Sequence, residues 1–372
     1  MGSSCERILC TENLVPKNAK ERIFFGSYSG FQRYDNPKFP FAVAMEEKQR
    51  NAFWNPKEIS MTNDALKFFE MPEYIQEIMI RVWLFQTLMD SAQNSGLEEI
   101  LASLCTNPEF EAMFKTQGYF ELIHSLSYSH ILRGIFSDAS AIFDRIADYP
   151  EIQKRVNNEI ELYKRVKNID SISDETEKKK IILELLVGIL ALEGVKFYVS
   201  FLVTYVINNN YNNKIQGATR IIKLINFDED IHTSMVSGTI QILKKTKSEG
   251  FSELINSKWF SNMATKTFLD VLRDELEFYD YLASFGDIPT LTKRVVEDFM
   301  KYYVDDRLSS IGVAKPFNII KTDTVQYFEG EKDLNISNVA QQESDMSIYS
   351  IGIMKNDIPD GKLESYTRAK GL

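Results

Sequence analysis

The chain has 372 residues, of which 44% are hydrophobic and 12% aromatic, and it carries a formal net charge of -10. That composition provides for a large buried core and excludes bulk disorder, while the acidic balance argues against nucleic-acid binding, which calls for a basic face. Three cysteines, Cys5, Cys10 and Cys105, are too few for a disulfide framework.

No apolar leader opens the chain, and Glu6 stands where a myristoylation motif needs Ser or Thr. Cys5 and Cys10 have the spacing of half a zinc site, but with no second half nearby they read as reduced thiols in an N-terminal arm over residues 1–20. Helical signals dominate from the seventies onward. Pro72 is a first-turn proline, and residues 75–89 are apolar on nearly every face. Asn107-Pro108 is a second start signal, a cap followed by proline, opening a helix that runs through His124 to about Phe136. A charged stretch at 174–180 leads into a third long helix over 181–208, and a fourth spans about 215–247. Amphipathic pieces follow at about 264–283 and 291–311. The most membrane-like segment, 181–207, is interrupted by Glu184, Glu193 and Lys196, so it reads as a core helix of a soluble, cytoplasmic protein rather than a membrane span. Long helices apolar almost all round, with no strand–helix alternation and no repeat, predict an all-α bundle with further helices packed outside it. After Lys315 periodicity vanishes, and residues 313–372 read as a mobile tail behind a helical domain of residues 21–312.

Two of the three histidines close the same motif: Glu121-Leu-Ile-His124 and Glu229-Asp-Ile-His232. Positions i and i+3 share a helix face, so each motif aims a carboxylate and an imidazole at one point. Two such motifs plus one acid from each of two other helices form the ligand set of a dinuclear iron or manganese site in a four-helix bundle. Candidates for the further acids are Asp90, which ends an apolar run, and Glu193, which lies inside another. An ionised carboxylate in such surroundings is costly unless paired or metal-bound. Four carboxylates neutralise two divalent ions, and oxygen-rich ligation suits iron or manganese better than zinc. A single Glu-x-x-His is a common accident of a solvated helix face; two of them, with stranded acids on two other helices, are a rarer coincidence. Tyr128 shares the face of Glu121 and His124, its phenol about 6 Å of rise beyond the histidine, where oxidation by a metal pair would reach it. His130 lies about 120° around the helix from His124 and is expected to be a core or interface histidine.

With these residues assembled, the chain resembles the small, radical-generating subunit of class I ribonucleotide reductase. The resemblance runs from about Phe24 to Asp306 and resumes near Gln342, carried by Phe53-Trp54-Asn-Pro56, Gln86-Thr-Leu-Met-Asp90-Ser, Glu121 through His130, Leu192 through Phe201, and Asp228 through His232. It implies a ferritin-like fold, a homodimer, and two iron (or manganese) ions per chain held by Asp90, Glu121, His124, Glu193, Glu229 and His232. It further implies reaction with molecular oxygen to oxidise Tyr128 to a stable radical, in an apolar pocket of Phe197, Phe201 and Ile225. Trp54 and Asp228 match the pair connecting the metals to the surface, and Glu343 and Tyr349 keep the spacing of the residues that relay the radical to the large subunit. Departures are Phe227, where a basic residue is common, and a basic-to-neutral terminus after Thr367. Competing readings are another ferritin-like di-iron oxidase or desaturase, which needs no relay, and an iron-binding protein without radical transfer.

Overall fold

In the computed structural model, residues 9–10, 14 and 22–332 are described. Four long helical segments form the bundle: α3 (Glu73–Gly96), α4 (Pro108–Ile135), α8 (Glu175–Ala191) continued by α9 (Tyr198–Asn210), and α10 (Gln216–Lys245). Around them pack α1 (Pro40–Asn51), α2 (Thr62–Lys67), α5 (Ala139–Asp144), α6 (Pro150–Lys154), α7 (Asn157–Lys167), α11 (Ser252–Ile255), α12 (Lys258–Ala283), α13 (Lys293–Ser310) and α14 (Asp323–Lys332). No strand occurs among the described residues, only an isolated bridge between Phe24 and Cys105. The all-α expectation holds.

The caps follow from the sequence. Asn107 accepts hydrogen bonds from the backbone N–H of Glu109 and Phe110 at 3.1 and 3.0 Å, with Pro108 in the first turn of α4. Asp174 caps α8, so the charged stretch 174–180 forms that helix's cap and first turns instead of preceding it. The N-terminus of α10 is capped from outside: both carboxylate oxygens of Asp64, on α2, accept from the N–H groups of Gly217 and Ala218 at 2.8 Å. A short helix thereby holds the entry of the long one that carries Glu229 and His232.

Several boundaries differ from the sequence expectations. The predicted third helix is continuous in direction but not in winding, because a π-helical turn at Leu192–Lys196 separates α8 from α9 and contains Glu193. Such a turn is invisible to hydrophobic periodicity and recurs at functional sites. Helix begins well before the seventies, at α1, whose weak apolar face offers little periodic signal. The tail does not start at 313: α14 packs against the bundle through Val325 and Phe328, the Phe328 ring 5.2 Å from Tyr198 and 5.0 Å from Phe299. Two anchors on a ten-residue helix are too few to show as a period. Cys10 is half of a disulfide, where a reduced thiol was expected, and Cys105 is a buried thiol.

Residues 175–210 form a stretch long and apolar enough to cross a membrane, but 94% of its most apolar window is buried within the protein. It is the most deeply buried wall of the bundle.

Candidate metal centre

Each of the four bundle segments contributes polar side chains to one fully buried region. Asp90 comes from the end of α3, Glu121 and His124 from one face of α4, Glu193 from the π turn, and Glu229 and His232 from one face of α10. All six are wholly buried. Their ligand atoms fall into two overlapping groups, Asp90–Glu121–His124–Glu229 and Glu121–Glu193–Glu229–His232, each with donors within 4.8 Å of one another. Glu121 and Glu229 belong to both groups and so could serve two cations.

The imidazoles face inward by the same nitrogen. His124 Nδ1 lies 3.3 Å from Glu121, 3.4 Å from Glu229 and 3.9 Å from Asp90. His232 Nδ1 lies 3.0 Å from Glu121, 3.1 Å from Glu229 and 3.8 Å from Glu193. The far nitrogen of His124, Nε2, meets Asp228 Oδ2 at 3.1 Å. That oxygen also accepts from the Trp54 indole N–H at 2.8 Å, and Asp228 Oδ1 accepts from the Gln49 amide at 2.9 Å. A carboxylate behind a ligating histidine fixes its tautomer and ring orientation. The rings of Trp54 and His124 lie nearly parallel, centroids 6.4 Å apart.

The residues present fit a pair of cations. Asp90 Oδ1 and Oδ2, Glu193 Oε2 and Glu229 Oε1 are buried without a hydrogen bond of normal geometry. Unpartnered carboxyl oxygens in an apolar interior are destabilising, and two divalent ions would satisfy them together. Without metal, burial and the charges of Glu121 and Glu193 push the Asp90 carboxyl well up. Burial with Glu193 and Glu121 does the same to Glu229. Burial would lower His232, yet Glu121 and Glu193 hold it up at about 10. These shifts favour the protonated forms of Asp90, Glu229 and His232, so a cation entering here would displace protons. Metal affinity is expected to rise with pH by about tenfold per unit for each proton displaced; potentiometric titration during anaerobic Mn(II) addition in weak buffer reads the release, and a pH-independent affinity between 6 and 8 would contradict it.

Tyr128 is fully buried on α4, and its hydroxyl makes no hydrogen bond of normal geometry. Burial and the nearby Asp90 raise its pKa well above that of a free phenol. Phe197, Phe201 and Ile225 are fully buried, the two phenyl rings stacked at 5.7 Å. His130 stays outside the centre, half-buried, its Nε2 2.8 Å from the carbonyl of Ile59. Glu343 and Tyr349 lie outside the described residues.

A family model described as ribonucleotide reductase, small chain, matches residues 33–324. The chain belongs to that family. Among curated relatives, it is similar to the ribonucleoside-diphosphate reductase subunit beta of Buchnera aphidicola, 29% identical over 93% of this chain and 96% of that one. It is equally similar, at 29% identity over 94% and 96%, to the subunit beta of Enterobacteria phage T4. In fold it resembles the ribonucleotide reductase R2 subunit from Clostridium botulinum, with a TM-score of 0.76 at 22% identity, covering 84% of this chain and 95% of that one.

Four residues around the candidate centre escaped sequence reasoning: Gln49, which donates to Asp228, Gln93 and Gln117, which donate to Glu193, and Tyr163, which donates to Gln93. Gln93 follows Asp90 by three residues and Gln117 precedes Glu121 by four, so helical spacing placed both on ligand faces. Neutral amides raise no alarm of stranded charge. Tyr163, on a helix with no ligand, carried no signal at all.

Proposed function

We propose that this chain is the radical-generating subunit of a class I ribonucleoside-diphosphate reductase, holding two iron or manganese ions and storing an oxidising equivalent on Tyr128. The observation that carries this reading is the meeting of both Glu-x-x-His motifs with Asp90 and Glu193 in a fully buried core. When bound, the ions supply one-electron oxidising chemistry fed by molecular oxygen.

The chain's own residues do the rest. Glu121 and Glu229 would serve both ions, Asp90 with His124 one of them, and Glu193 with His232 the other. Oxygen donors and two imidazoles match iron or manganese. Tyr128 is held as a neutral phenol by burial and by Asp90. An electron therefore leaves it together with its hydroxyl proton, for which the Asp90 carboxylate is the acceptor at hand, and a neutral phenoxyl remains. Keeping that radical uncharged avoids the cost of a buried ion. Phe197, Phe201 and Ile225 exclude water and reductants. Trp54, Asp228 and His124 form a hydrogen-bonded line from the centre toward α1. Glu343 and Tyr349 would extend that line along a docking tail to the large subunit, which binds and reduces the ribonucleotide, in the cytoplasm. Anaerobic ferrous loading followed by oxygen is expected to give a tyrosyl electron-spin signal; fully loaded protein with no organic radical would refute the reading.

A homodimer belongs to the same proposal. Tyr119, Leu122 and Leu126 are 49%, 41% and 53% exposed on α4, at i, i+3 and i+7. This apolar stripe lies on the outward side of the helix that carries Glu121 and His124, and a two-fold axis would bury it against its own copy. Leu122→Asp with Leu126→Asp should convert a sedimenting dimer to monomer; an unchanged dimer would place the interface elsewhere.

A further inference from the structure

The two halves of the centre are not equivalent. On the Tyr128 side, no amide donor holds Asp90, whose oxygens have only the nearby Tyr128 hydroxyl and no hydrogen bond of normal geometry. On the other side, Glu193 Oε1 accepts two: from the Gln93 amide at 2.7 Å and from the Gln117 amide at 3.0 Å. Only Oε2 remains unpartnered, and it is the oxygen facing His232 Nδ1. Gln93 is itself fixed, because its Oε1 accepts the Tyr163 hydroxyl at 2.6 Å. Tyr163 stands on α7, outside the bundle, and reaches inward over Gly96. A Cβ at Gly96 would overlap the tyrosine ring, so this glycine leaves the notch through which the phenol enters. Gln93 and Gln117 are both wholly buried, and Gln117 Oε1 has no hydrogen-bond partner. The backbone under Glu193 is pinned too: Lys196, the last residue of the π turn, donates to the Arg155 carbonyl at 2.7 Å and pairs with Glu159.

We propose that Gln93, Gln117 and Tyr163 are positioning residues that confine Glu193 to ligation through Oε2 alone and thereby set the affinity of one of the two metal positions independently of the other. Two amide N–H donors on one carboxylate oxygen disperse its charge and block it sterically, whereas Asp90 keeps both oxygens available. Loss of either amide frees Oε1 to swing and leaves Glu193 without its orientation. Loss of the Tyr163 hydroxyl loosens Gln93 while the ring still fills the Gly96 notch.

The inference rests on the two-ion reading above, and one experiment separates their failures. The full chain is stripped of metal and titrated anaerobically with Mn(II), with electron-spin resonance distinguishing isolated ions from spin-coupled pairs. Wild type should reach coupled pairs at two equivalents. Gln117→Leu and Gln93→Leu should each weaken one of the two binding steps by about 10–100-fold, the usual effect of removing a partner behind a metal ligand. The other step should stay within about threefold, so the two steps separate and the yield of coupled pairs at two equivalents falls. Tyr163→Phe, which keeps the packing, should shift the same step by a smaller factor. Equal weakening of both steps, or wild-type pairing in Gln117→Leu and Tyr163→Phe alike, would overturn the positioning role. Failure of wild type to take up two ions would overturn the two-ion reading, and the positioning role with it.

Discussion

Tyr128→Phe will fold and take up metal like the parent, yet yield no tyrosyl signal and no ribonucleotide reduction with the large subunit. The hydroxyl it removes makes no hydrogen bond of normal geometry. The ring it retains fills the same fully buried space. Stability is therefore expected to change by no more than about 1 kcal/mol, since no satisfied partner is orphaned. The chemistry, in contrast, depends wholly on that hydroxyl: a phenyl ring has no O–H proton to give up with the electron, so oxidation would bury an unpaired cation. Activity should fall to background. Thermal melts, metal analysis and electron-spin spectra of the same preparation check all three parts. A radical of equal intensity in the variant would move the stored oxidising equivalent to another residue.

Trp54→Phe is expected to lose as much turnover for a different reason. The indole N–H is one of the two contacts on Asp228 Oδ2, the other being His124 Nε2. Phenylalanine breaks the line there while Gln49 still holds Asp228 Oδ1. Shrinking a buried tryptophan and orphaning part of a carboxylate should cost about 1–3 kcal/mol, which a core of this size tolerates. The tyrosyl signal should still form, because Tyr128 and the six candidate ligands are untouched, but nucleotide reduction should drop to background. Tyr349→Phe should give the same kinetic loss. Turnover in Trp54→Phe within about twofold of wild type would show that electrons take another route.

The clustering of the candidate ligands was legible because those residues are expensive to bury. Asp90 and Glu193 stand in apolar runs where a free carboxylate is hard to accommodate, and the two Glu-x-x-His motifs announce their common face through helical spacing alone. The long helices were legible for a related reason: α4 and α8 open on Asn107 and Asp174 caps, and their apolar faces run for many turns. What stayed hidden is chemically quiet. The π turn around Glu193 changes the winding without changing composition. The capping of α10 by Asp64 joins residues far apart in the chain, and Gln93 and Gln117 are neutral on helix faces where their charged neighbours draw attention. Helix α14 escaped because only two of its side chains, Val325 and Phe328, are fully buried, too few to show as a period.

The most direct test of the account is the anomalous scattering of crystals grown after anaerobic loading. Two peaks per chain are expected, one among Asp90, Glu121, His124 and Glu229, the other among Glu121, Glu193, Glu229 and His232. A single peak, or peaks coordinated by other side chains, would contradict it.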